Sequence, residues 1–268
     1  MLMYDHYNRQ INYLRVSVTD RCNLRCTYCM PEDGIIQLKH EDILTFDEIV
    51  NFVKIAVELG INKVRITGGE PLVRKGIVEL VRMISQVQGI DDLSMTTNAI
   101  LLNQFAEPLW NAGLRRINVS LDTINPEKFK QITRGGNIDD VFKGLEEAKR
   151  IGYNPIKLNC VIDKSSNEPD AIAVKNYAIT NGLEVRFIPK MNLEKGIFGQ
   201  VEGGEGGNCS NCNRLRLTAN GLVKPCLFSD LGYSVRELGA KEAIIKAIGI
   251  KPESGSKNLE SNFYNIGG

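Results

Sequence analysis

Cysteines are the residues whose number and spacing most clearly predict chemistry in this chain. Six of the seven form an N-terminal triad and a C-terminal triad, which consist of Cys22, Cys26 and Cys29, and of Cys209, Cys212 and Cys226. Three thiolates are one ligand short of a closed tetrahedral metal site, so each triad could hold a metal centre with one open coordination position. An open position allows a small molecule to bind the metal and react there.

The choice of metal follows from the other ligands that the chain offers. It has only two histidines, His6 and His40, so there is little to complete a Cys3His zinc site at both triads. Thiolates suit iron–sulfur clusters, and a cubane held by three cysteines leaves one iron free. We therefore favour two [4Fe-4S] clusters, with a pair of structural zinc sites or simple core thiols as alternatives. Cys160 lies in an apolar run, and we expect it to be a buried free thiol.

Charge and hydropathy exclude several classes of partner. The 268 residues carry a net charge of +1 from 33 basic and 32 acidic side chains, so no global field recruits nucleic acid or anionic lipid. We find neither a long apolar run nor a start that resembles a secretory signal. The sequence predicts a soluble, cytoplasmic protein with no nucleic-acid and no membrane partner. A reducing compartment also favours metal ligation over disulfides.

Short apolar strands alternate with amphipathic helices up to Met191, which is typical of parallel βαβ units. The predicted strands are Leu14 to Thr19, Lys63 to Thr67, Leu93 to Thr97, Arg116 to Leu121, Ile156 to Ile162 and Glu184 to Ile188. Periodicity alone leaves a partial barrel and an open doubly wound sheet as alternatives. In both architectures, functional residues lie at the carboxyl ends of the strands.

Helix signals separate these strands. Thr45 and Glu48 form a predicted capping box, and Gly60 is a plausible stop for the helix that follows them. Similar signals predict helices over 77–87, 139–151 and 170–181.

The rhythm of strands and helices ends after Met191. Six of the twelve residues from 196 to 207 are glycine, which is typical of a flexible connector. We therefore predict a barrel over 1–192, a connector over 193–208 and a C-terminal cluster region over 209–268. In that last region, alternation predicts a strand over 214–217, and the Asn-Gly pair at 220–221 predicts a hairpin turn that returns Cys226 to the other two cysteines.

Two further features lie at the predicted strand ends or on the strands themselves. Gly68, Gly69 and Glu70 follow the second strand, where glycines allow close backbone approach and a carboxylate can accept from an ammonium group. Several basic side chains lie within strands, where an unpaired buried charge is costly. They are Arg15, Lys63, Arg65, Lys157 and Arg186. They predict a polyanionic ligand such as a triphosphate, unless they face solvent or form ion pairs with acids.

These motifs together identify a resemblance. The Cys-x3-Cys-x2-Cys spacing and the Gly-Gly-Glu turn resemble the radical S-adenosylmethionine (SAM) superfamily, in which three cysteines hold a [4Fe-4S] cluster that binds SAM. The two triads together resemble the GTP 3′,8-cyclase family, which begins molybdenum cofactor biosynthesis. The stretches that support this resemblance are Arg15 to Arg21, Arg65 to Leu72, Thr96 to Asn98, Arg115 to Asp122, Val185 to Ile188 and Ile266 to Gly268.

The resemblance implies an α/β fold, an incomplete (β/α)6 barrel of the radical SAM type with a short C-terminal cluster-binding region. It also implies that the N-terminal cluster reductively cleaves SAM, so that the 3′ hydrogen of GTP is abstracted and the ribose attacks guanine C8. Both triads would hold [4Fe-4S] clusters. The residues implied to bind SAM are Tyr28, Gly69, Glu70, Ser120 and Met191. Those implied to bind GTP are Arg15, Lys63, Arg65, Thr96, Lys157, Arg186, Arg214, Arg216, Gly267 and Gly268, of which Arg15, Arg214 and Arg216 are the predicted catalytic residues.

The family also implies partners: GTP as substrate, an electron donor and a downstream cyclic pyranopterin synthase, with the chain itself a monomer or homodimer. The chain departs from the family pattern between Met191 and Cys209, where only 17 residues stand in place of a longer segment that helps to close the barrel. Pro189 and Asn208 also replace the usual glutamate and aromatic residue. Two alternatives follow: a radical SAM enzyme with another substrate such as a peptide, or a noncatalytic iron–sulfur or nucleotide-binding protein. The Arg-Leu-Arg run from Arg214 favours the cyclase.

Overall fold

The computed structural model of the chain describes residues 2–192, 196 and 198–255. Within them, strands and helices alternate up to residue 189, and a smaller group of strands and helices follows residue 213. The strands are β1 (Tyr13–Ser17), β2 (Lys63–Thr67), β3 (Asp92–Thr97), β4 (Arg116–Ser120), β5 (Ile156–Ile162), β6 (Glu184–Pro189), β7 (Arg214–Leu217), β8 (Leu222–Lys224) and β9 (Tyr233–Ser234). The helices are α1 (Phe46–Glu58), α2 (Ile77–Ser85), α3 (Leu102–Asn111), α4 (Pro126–Thr133), α5 (Ile138–Ile151), α6 (Pro169–Asn181), α7 (Val235–Leu238) and α8 (Ala240–Gly249).

All of these strands belong to one sheet, in the order β6-β5-β4-β3-β2-β1-β7-β8-β9. Pairing is parallel from β6 to β7 and antiparallel from β7 to β9. The first six strands lie in chain order without the reversal that defines a doubly wound sheet. The predicted incomplete (β/α)6 barrel is therefore confirmed. The sequence did not predict that β7 continues the parallel sheet beside β1.

The two faces of this sheet differ in polarity. In β5, the buried residues Ile156, Leu158 and Cys160 alternate with the half-buried Lys157 and Asn159. The alternation of apolar and polar side chains continues in β4 and β6, because the strand register places apolar residues beside apolar ones and polar residues beside polar ones. The apolar face packs against helices, which contribute fully buried side chains such as those of α1. A polar inner face is therefore left for the barrel interior, and Cys160 is a buried thiol as predicted.

Most predicted element boundaries lie within two residues of the observed ones. The capping box of Thr45 and Glu48 is present at α1, and Gly60 follows that helix with φ of +107°. The hairpin between β7 and β8 is confirmed, with its turn spanning Thr218 to Gly221. Sequence reasoning missed four helices, which are α3, whose Pro108 interrupts the helical pattern, and α4, α7 and α8. None of the described helices has the length and apolar character that crossing a membrane requires.

The described residues of the glycine-rich connector include a segment around Glu202 that lies along the outer edge of β6. Phe187 and Glu202 exchange two backbone hydrogen bonds of 3.0 Å each in an antiparallel bridge. Gly203 has φ of +77°, and a Cβ added there would lie 2.8 Å from the carbonyl oxygen of Val185. Glycine is therefore needed for this close approach to the edge strand. The division into 1–192, 193–208 and 209–268 stays a prediction.

Candidate active site

A cavity of about 250 Å³ opens at the carboxyl ends of the parallel strands. This is the edge at which the sequence predicted function, because βα loops converge there. Nine predicted metal-binding, SAM-binding or GTP-binding residues line it. They are Cys22, Cys26, Tyr28, Cys29, Gly69, Glu70, Thr96, Ser120 and Met191.

The end of α4 holds the loop that carries the N-terminal triad. The backbone N–H of Arg25 donates to the carbonyl oxygen of Thr133 at 3.1 Å. The guanidinium of Arg134, the residue that caps α4 in a left-handed conformation, donates to the carbonyls of Arg25 and Met30 at 3.0 and 2.9 Å. Arg134 was missed by sequence reasoning, since no motif marks it. Its contacts fix the backbone just before the second cysteine and just after the third.

The Gly-Gly-Glu turn packs directly on the cysteine loop. The N–H of Gly69 donates to the carbonyl of Thr19 at 2.7 Å, and the N–H of Glu70 donates to that of Arg21 at 2.8 Å. A Cβ added to Gly69 would lie 2.3 Å from the Arg21 carbonyl oxygen. The sequence predicted that these glycines allow close approach to a ligand. The close approach in the structure is to the backbone just before the first cysteine.

Glu70 is buried beneath this turn and connects it to the end of β3. Its carboxylate accepts from the N–H groups of Leu72 and Asn98 at 3.0 and 2.7 Å and from the hydroxyl of Thr97 at 2.7 Å. Burial raises the pKa of Glu70 to about 7, against the opposing effect of these hydrogen bonds. The side-chain amide of Asn98 lies 3.8 Å from the sulfur of Cys22. Asn98, within a stretch quoted for the family resemblance, is a cavity residue that the predicted site omitted.

A second carboxyl group reaches the cavity from the end of β4. The hydroxyl of Tyr28 donates to Asp122 at 2.7 Å, and the other oxygen of Asp122 accepts from the N–H of Val161 at 2.8 Å. Burial raises the pKa of Asp122. Asp122 was also omitted from the predicted site, although it follows Ser120 by two residues. Its bond to Tyr28 fixes the aromatic ring at the cavity wall.

The thiols of the N-terminal triad are half-buried beside carboxyl groups. Burial raises the pKa of Cys22 and of Cys26 to about 12, and burial also raises that of Cys29. The nearby carboxyl groups add to the shift, Glu70 at Cys22 and Asp122 at Cys26. Across residues 2–192 and 198–255, no three cysteine, histidine or acidic side chains are grouped around a position for one metal ion. A cubane has no such requirement, because its three cysteines bind three different irons.

Five guanidiniums converge on the inner face of the barrel, and we call them the arginine cluster. Arg15 on β1 lies opposite Arg65 on β2 and Arg216 on β7 in the sheet register. Burial and the like charges of neighbouring guanidiniums lower the pKa of four arginines, that of Arg216 to about 10; the other three are Arg15, Arg65 and Arg186. The cluster consists of Arg15, Arg65, Arg186, Arg214 and Arg216. Of the five basic strand residues expected to converge, Arg15, Arg65 and Arg186 do so, and the roles of all of them in binding stay predictions.

Two buried hydroxyls lie at or near this cluster. The ring of Tyr13 packs against the guanidiniums of Arg65 and Arg214, 5.4 and 5.7 Å from its centroid. Within the described part of the chain, the hydroxyls of Tyr13 and Thr96 are buried without a hydrogen-bond partner. Buried hydroxyls are rarely left so, which favours a ligand that reaches them. Tyr13 was missed, since a single strand tyrosine carries no signal of function.

The two predicted lysines differ from the arginines in their surroundings. Lys157 forms an ion pair with Glu184 on the neighbouring strand. Lys63 begins β2 and pairs with Tyr13 and Asp92 in the register, at the amino-terminal edge of the sheet. The two lysines therefore do not belong to the arginine cluster as defined here.

The C-terminal triad lies next to the arginine cluster. Cys209 and Cys212 share a short turn with an N–H to carbonyl bond of 3.1 Å, and the β7–β8 hairpin returns the chain towards Cys226. Burial tends to raise the pKa of Cys212, but Lys251, followed by Arg214 and Arg216, lowers it overall. The ammonium of Lys251 lies 3.5 Å from the sulfur of Cys212. The predicted ligand residues Gly267 and Gly268 lie outside the described residues.

Comparison with known proteins gives a consistent set of relatives. The model of the radical SAM superfamily matches residues 16–178. A protein of Thermodesulfovibrio yellowstonii called GTP 3′,8-cyclase is 41% identical, with 96% of this chain and 97% of the relative covered. A relative of the same name from Peptoclostridium acidaminophilum is 43% identical over 85% of this chain and 84% of its own length.

A solved structure shares the fold at low sequence identity. It is Streptococcus suis SuiB bound to S-adenosylmethionine, with a TM-score of 0.66 and 16% identity over 92% of this chain and 66% of SuiB. The alignment with the Thermodesulfovibrio protein runs over 312 positions, 44 more than the 268 residues of this chain. The alignment therefore contains gaps in this chain, in agreement with the short connector.

Proposed function

The chain belongs to the radical SAM superfamily and, within it, to the GTP 3′,8-cyclase family, and from this we propose that it cyclises GTP. The proposed product is (8S)-3′,8-cyclo-7,8-dihydroguanosine 5′-triphosphate, and the proposed class is a lyase acting first in molybdenum cofactor biosynthesis. The proposal rests on the charged groups beside the two triads. Carboxyl groups lie beside the N-terminal triad, and guanidiniums lie beside the C-terminal triad.

Membership of the superfamily implies a [4Fe-4S] cluster and SAM. We propose that Cys22, Cys26 and Cys29 hold this cluster. When bound and reduced, it supplies the electron that cleaves SAM. The residues proposed to bind SAM are Tyr28, Gly69, Glu70, Ser120 and Met191, all of which line the cavity. SAM carries a sulfonium and an ammonium group, so the buried carboxyl groups of Glu70 and Asp122 favour it electrostatically.

We propose that the arginine cluster binds the triphosphate of GTP. Buried guanidiniums repel one another unless an anion lies among them, and their planar fork matches phosphate oxygens. The hydroxyls of Tyr13 and Thr96 are available donors within the same region. Lys63 and Lys157 are proposed to add positive charge at the edge of this site, and Gly267 and Gly268 to contact GTP from the C-terminus.

A second [4Fe-4S] cluster on Cys209, Cys212 and Cys226 is the third part of the proposal. Its open coordination position would face the guanine base, while Arg214 and Arg216 orient the nucleotide from β7. These two arginines and Arg15 are the proposed catalytic residues. An electron donor, a downstream cyclic pyranopterin synthase and a cytoplasmic location complete the family expectation, together with a monomeric or homodimeric state.

Two other functions were open from the sequence alone. SuiB, which has been solved bound to a precursor peptide, shares the fold but is only 16% identical in its SAM-bound structure, whereas the relative called GTP 3′,8-cyclase from Peptoclostridium acidaminophilum is 43% identical. The cyclase is therefore favoured. A noncatalytic protein that binds SAM or GTP is the alternative raised by the short connector between Met191 and Cys209.

The test is an anaerobic assay of the full chain reconstituted with iron and sulfide. SAM, dithionite and GTP are added, and mass spectrometry measures 5′-deoxyadenosine and cyclised GTP. The proposal predicts both products. Formation of 5′-deoxyadenosine alone would retain SAM chemistry but reject GTP cyclisation, and the absence of both would support the noncatalytic alternative.

A further inference from the structure

Lys251 is a buried lysine that no predicted motif includes, and it contacts the C-terminal triad directly. Lys251 lies two residues after the end of α8 and is only 3% exposed. Its ammonium donates to the carbonyls of Arg214 at 2.8 Å and Pro225 at 2.7 Å. The sulfur of Cys212 lies 3.5 Å away. An ammonium has three N–H donors, and these three acceptors account for all of them.

The two carbonyls place this ammonium between the two chain segments that carry the triad. Arg214 follows Cys212 by two residues, and Pro225 directly precedes Cys226. Lys251 therefore joins the start of β7 to the segment after β8 in one set of hydrogen bonds. Arg9 reinforces the arrangement from the other side, since its guanidinium donates to the carbonyls of Cys209 at 2.7 Å and Pro252 at 2.7 Å.

Among the described residues, no carboxylate balances the charge of Lys251. In the part of the chain that the structure describes, no carboxylate lies within 4 Å of its ammonium. A buried ammonium that lacks an anionic partner is costly. Its hydrogen-bond partners among the described residues are two carbonyls and the thiol sulfur of Cys212, of which only the sulfur can become negatively charged. A thiolate-bound cluster at the triad would provide the missing negative charge.

We propose that Lys251 is a positioning residue of the C-terminal triad, whose ammonium donates to the sulfur of Cys212 and raises the reduction potential of the cluster held there. The inference rests on the second cluster of the proposed function. Reduction adds negative charge to a cluster, and hydrogen bonds to its sulfurs together with nearby positive charge stabilise that reduced state. Lys251 thus raises the reduction potential of the cluster and also holds in place the two segments that carry its cysteine ligands.

The test isolates the C-terminal cluster in the full chain. Serine replaces Cys22, Cys26 and Cys29, so that the C-terminal triad is the remaining predicted cluster site. Lys251→Met removes the charge and the donors, whereas Lys251→Gln removes the charge and keeps an N–H donor. Lys246→Met is the matched control, because Lys246 lies on α8 with an exposed ion pair to Glu242. Iron and sulfide per chain, and the midpoint potential from an EPR-monitored titration, are measured after reconstitution.

We expect the parent and Lys246→Met to bind a cluster with the same midpoint potential. Lys251→Gln should shift the potential to a more negative value, and Lys251→Met should do so while losing part of its iron. Loss of the cluster from a Gln variant with an unchanged circular dichroism spectrum would also support positioning. If Lys251→Met does not fold, Lys251→Gln decides the question.

An unchanged potential and iron content in Lys251→Gln, beside a cluster-bearing parent, would overturn the inference and leave the proposed function standing. A parent that binds no cluster would instead reject the second cluster of the proposed function, and the inference with it. The two failures are thus distinguishable by the parent alone.

Discussion

Carboxyl groups flank the N-terminal triad, whereas cations flank the C-terminal triad. Burial and the nearby Glu70 and Asp122 raise the pKa of the first set of thiols. At the second set, Lys251 lowers the pKa of Cys212 in spite of its burial. Two similar groups of three thiols are thus built into opposite electrostatic surroundings on one sheet. The difference matches the charges of the two proposed ligands, a cationic SAM and an anionic nucleotide.

The elements that hold the triads differ as well. The N-terminal triad lies on a loop fixed by backbone hydrogen bonds from the Gly-Gly-Glu turn and the end of α4, together with the guanidinium of Arg134. The C-terminal triad is held by long side chains, those of Arg9 and Lys251, which reach it from opposite ends of the chain.

The largest expected effect separates the two triads by mutation. Cys26→Ser should abolish reductive SAM cleavage, since the loss of one of three ligands disrupts the proposed N-terminal cluster. Cys212→Ser should abolish cyclised GTP while 5′-deoxyadenosine still forms. The anaerobic product assay measures both. Undiminished 5′-deoxyadenosine from Cys26→Ser would sink the assignment of the N-terminal triad.

A smaller effect is expected from the arginine cluster. Arg214→Gln should reduce GTP cyclisation by about 10- to 100-fold, in keeping with the loss of a charged hydrogen bond, and should spare uncoupled SAM cleavage. Arg150→Gln is the control, because Arg150 is exposed and pairs with Glu147 on the helix surface. Steady-state rates of both products provide the comparison. Equal loss of the two products in Arg214→Gln would mean that Arg214 does not act on the substrate alone.

The buried carboxyl group of Glu70 predicts a pH dependence confined to the N-terminal site. Its pKa is about 7 in the folded protein, against 4.5 for an exposed glutamate. Between these values the folded protein binds more protons than the unfolded chain, so its stability falls as the pH rises and the fall ends above about pH 7. The contribution of this group is at most about 3 kcal/mol.

Urea unfolding of the apoprotein at about pH 5 and about pH 8 measures this contribution. The change in the free energy of unfolding between the two pH values should be more negative for the wild type than for Glu70→Gln. The same change in both proteins would show that Glu70 is ionised throughout, as its three hydrogen-bond donors alone would favour.

The smallest effect concerns the packing of the Gly-Gly-Glu turn. Gly69→Ala should lower the free energy of unfolding by about 1–3 kcal/mol, because the new methyl group would overlap the Arg21 carbonyl. Gly249→Ala in α8 is the matched control, since a Cβ there meets no atom within 4 Å. Chemical denaturation measures both variants. A Gly69→Ala variant as stable as the control would contradict the tight packing of this turn on the cysteine loop.

The sequence predicted much of the fold and the composition of both sites for physical reasons that are local. In strands such as β5, apolar residues recur at every second position, and the three cysteines from Cys22 to Cys29 lie close together in the chain. The addition of β7 beside β1 was not predictable, because nothing in a four-residue strand identifies its neighbour. Lys251 and Arg134 were missed for a similar reason: their partners are distant in sequence, and they contact backbone atoms that carry no residue signature.

We propose that both triads act on one GTP molecule in spite of the short connector between Met191 and Cys209. The most direct measurement uses GTP deuterated at the ribose 3′ carbon in the anaerobic reaction, with mass spectrometry of the 5′-deoxyadenosine that forms. The account predicts that this product gains one deuterium and that cyclised GTP appears with it. Unlabelled 5′-deoxyadenosine would contradict the account, since the N-terminal half would then cleave SAM without reaching a nucleotide held by the arginine cluster.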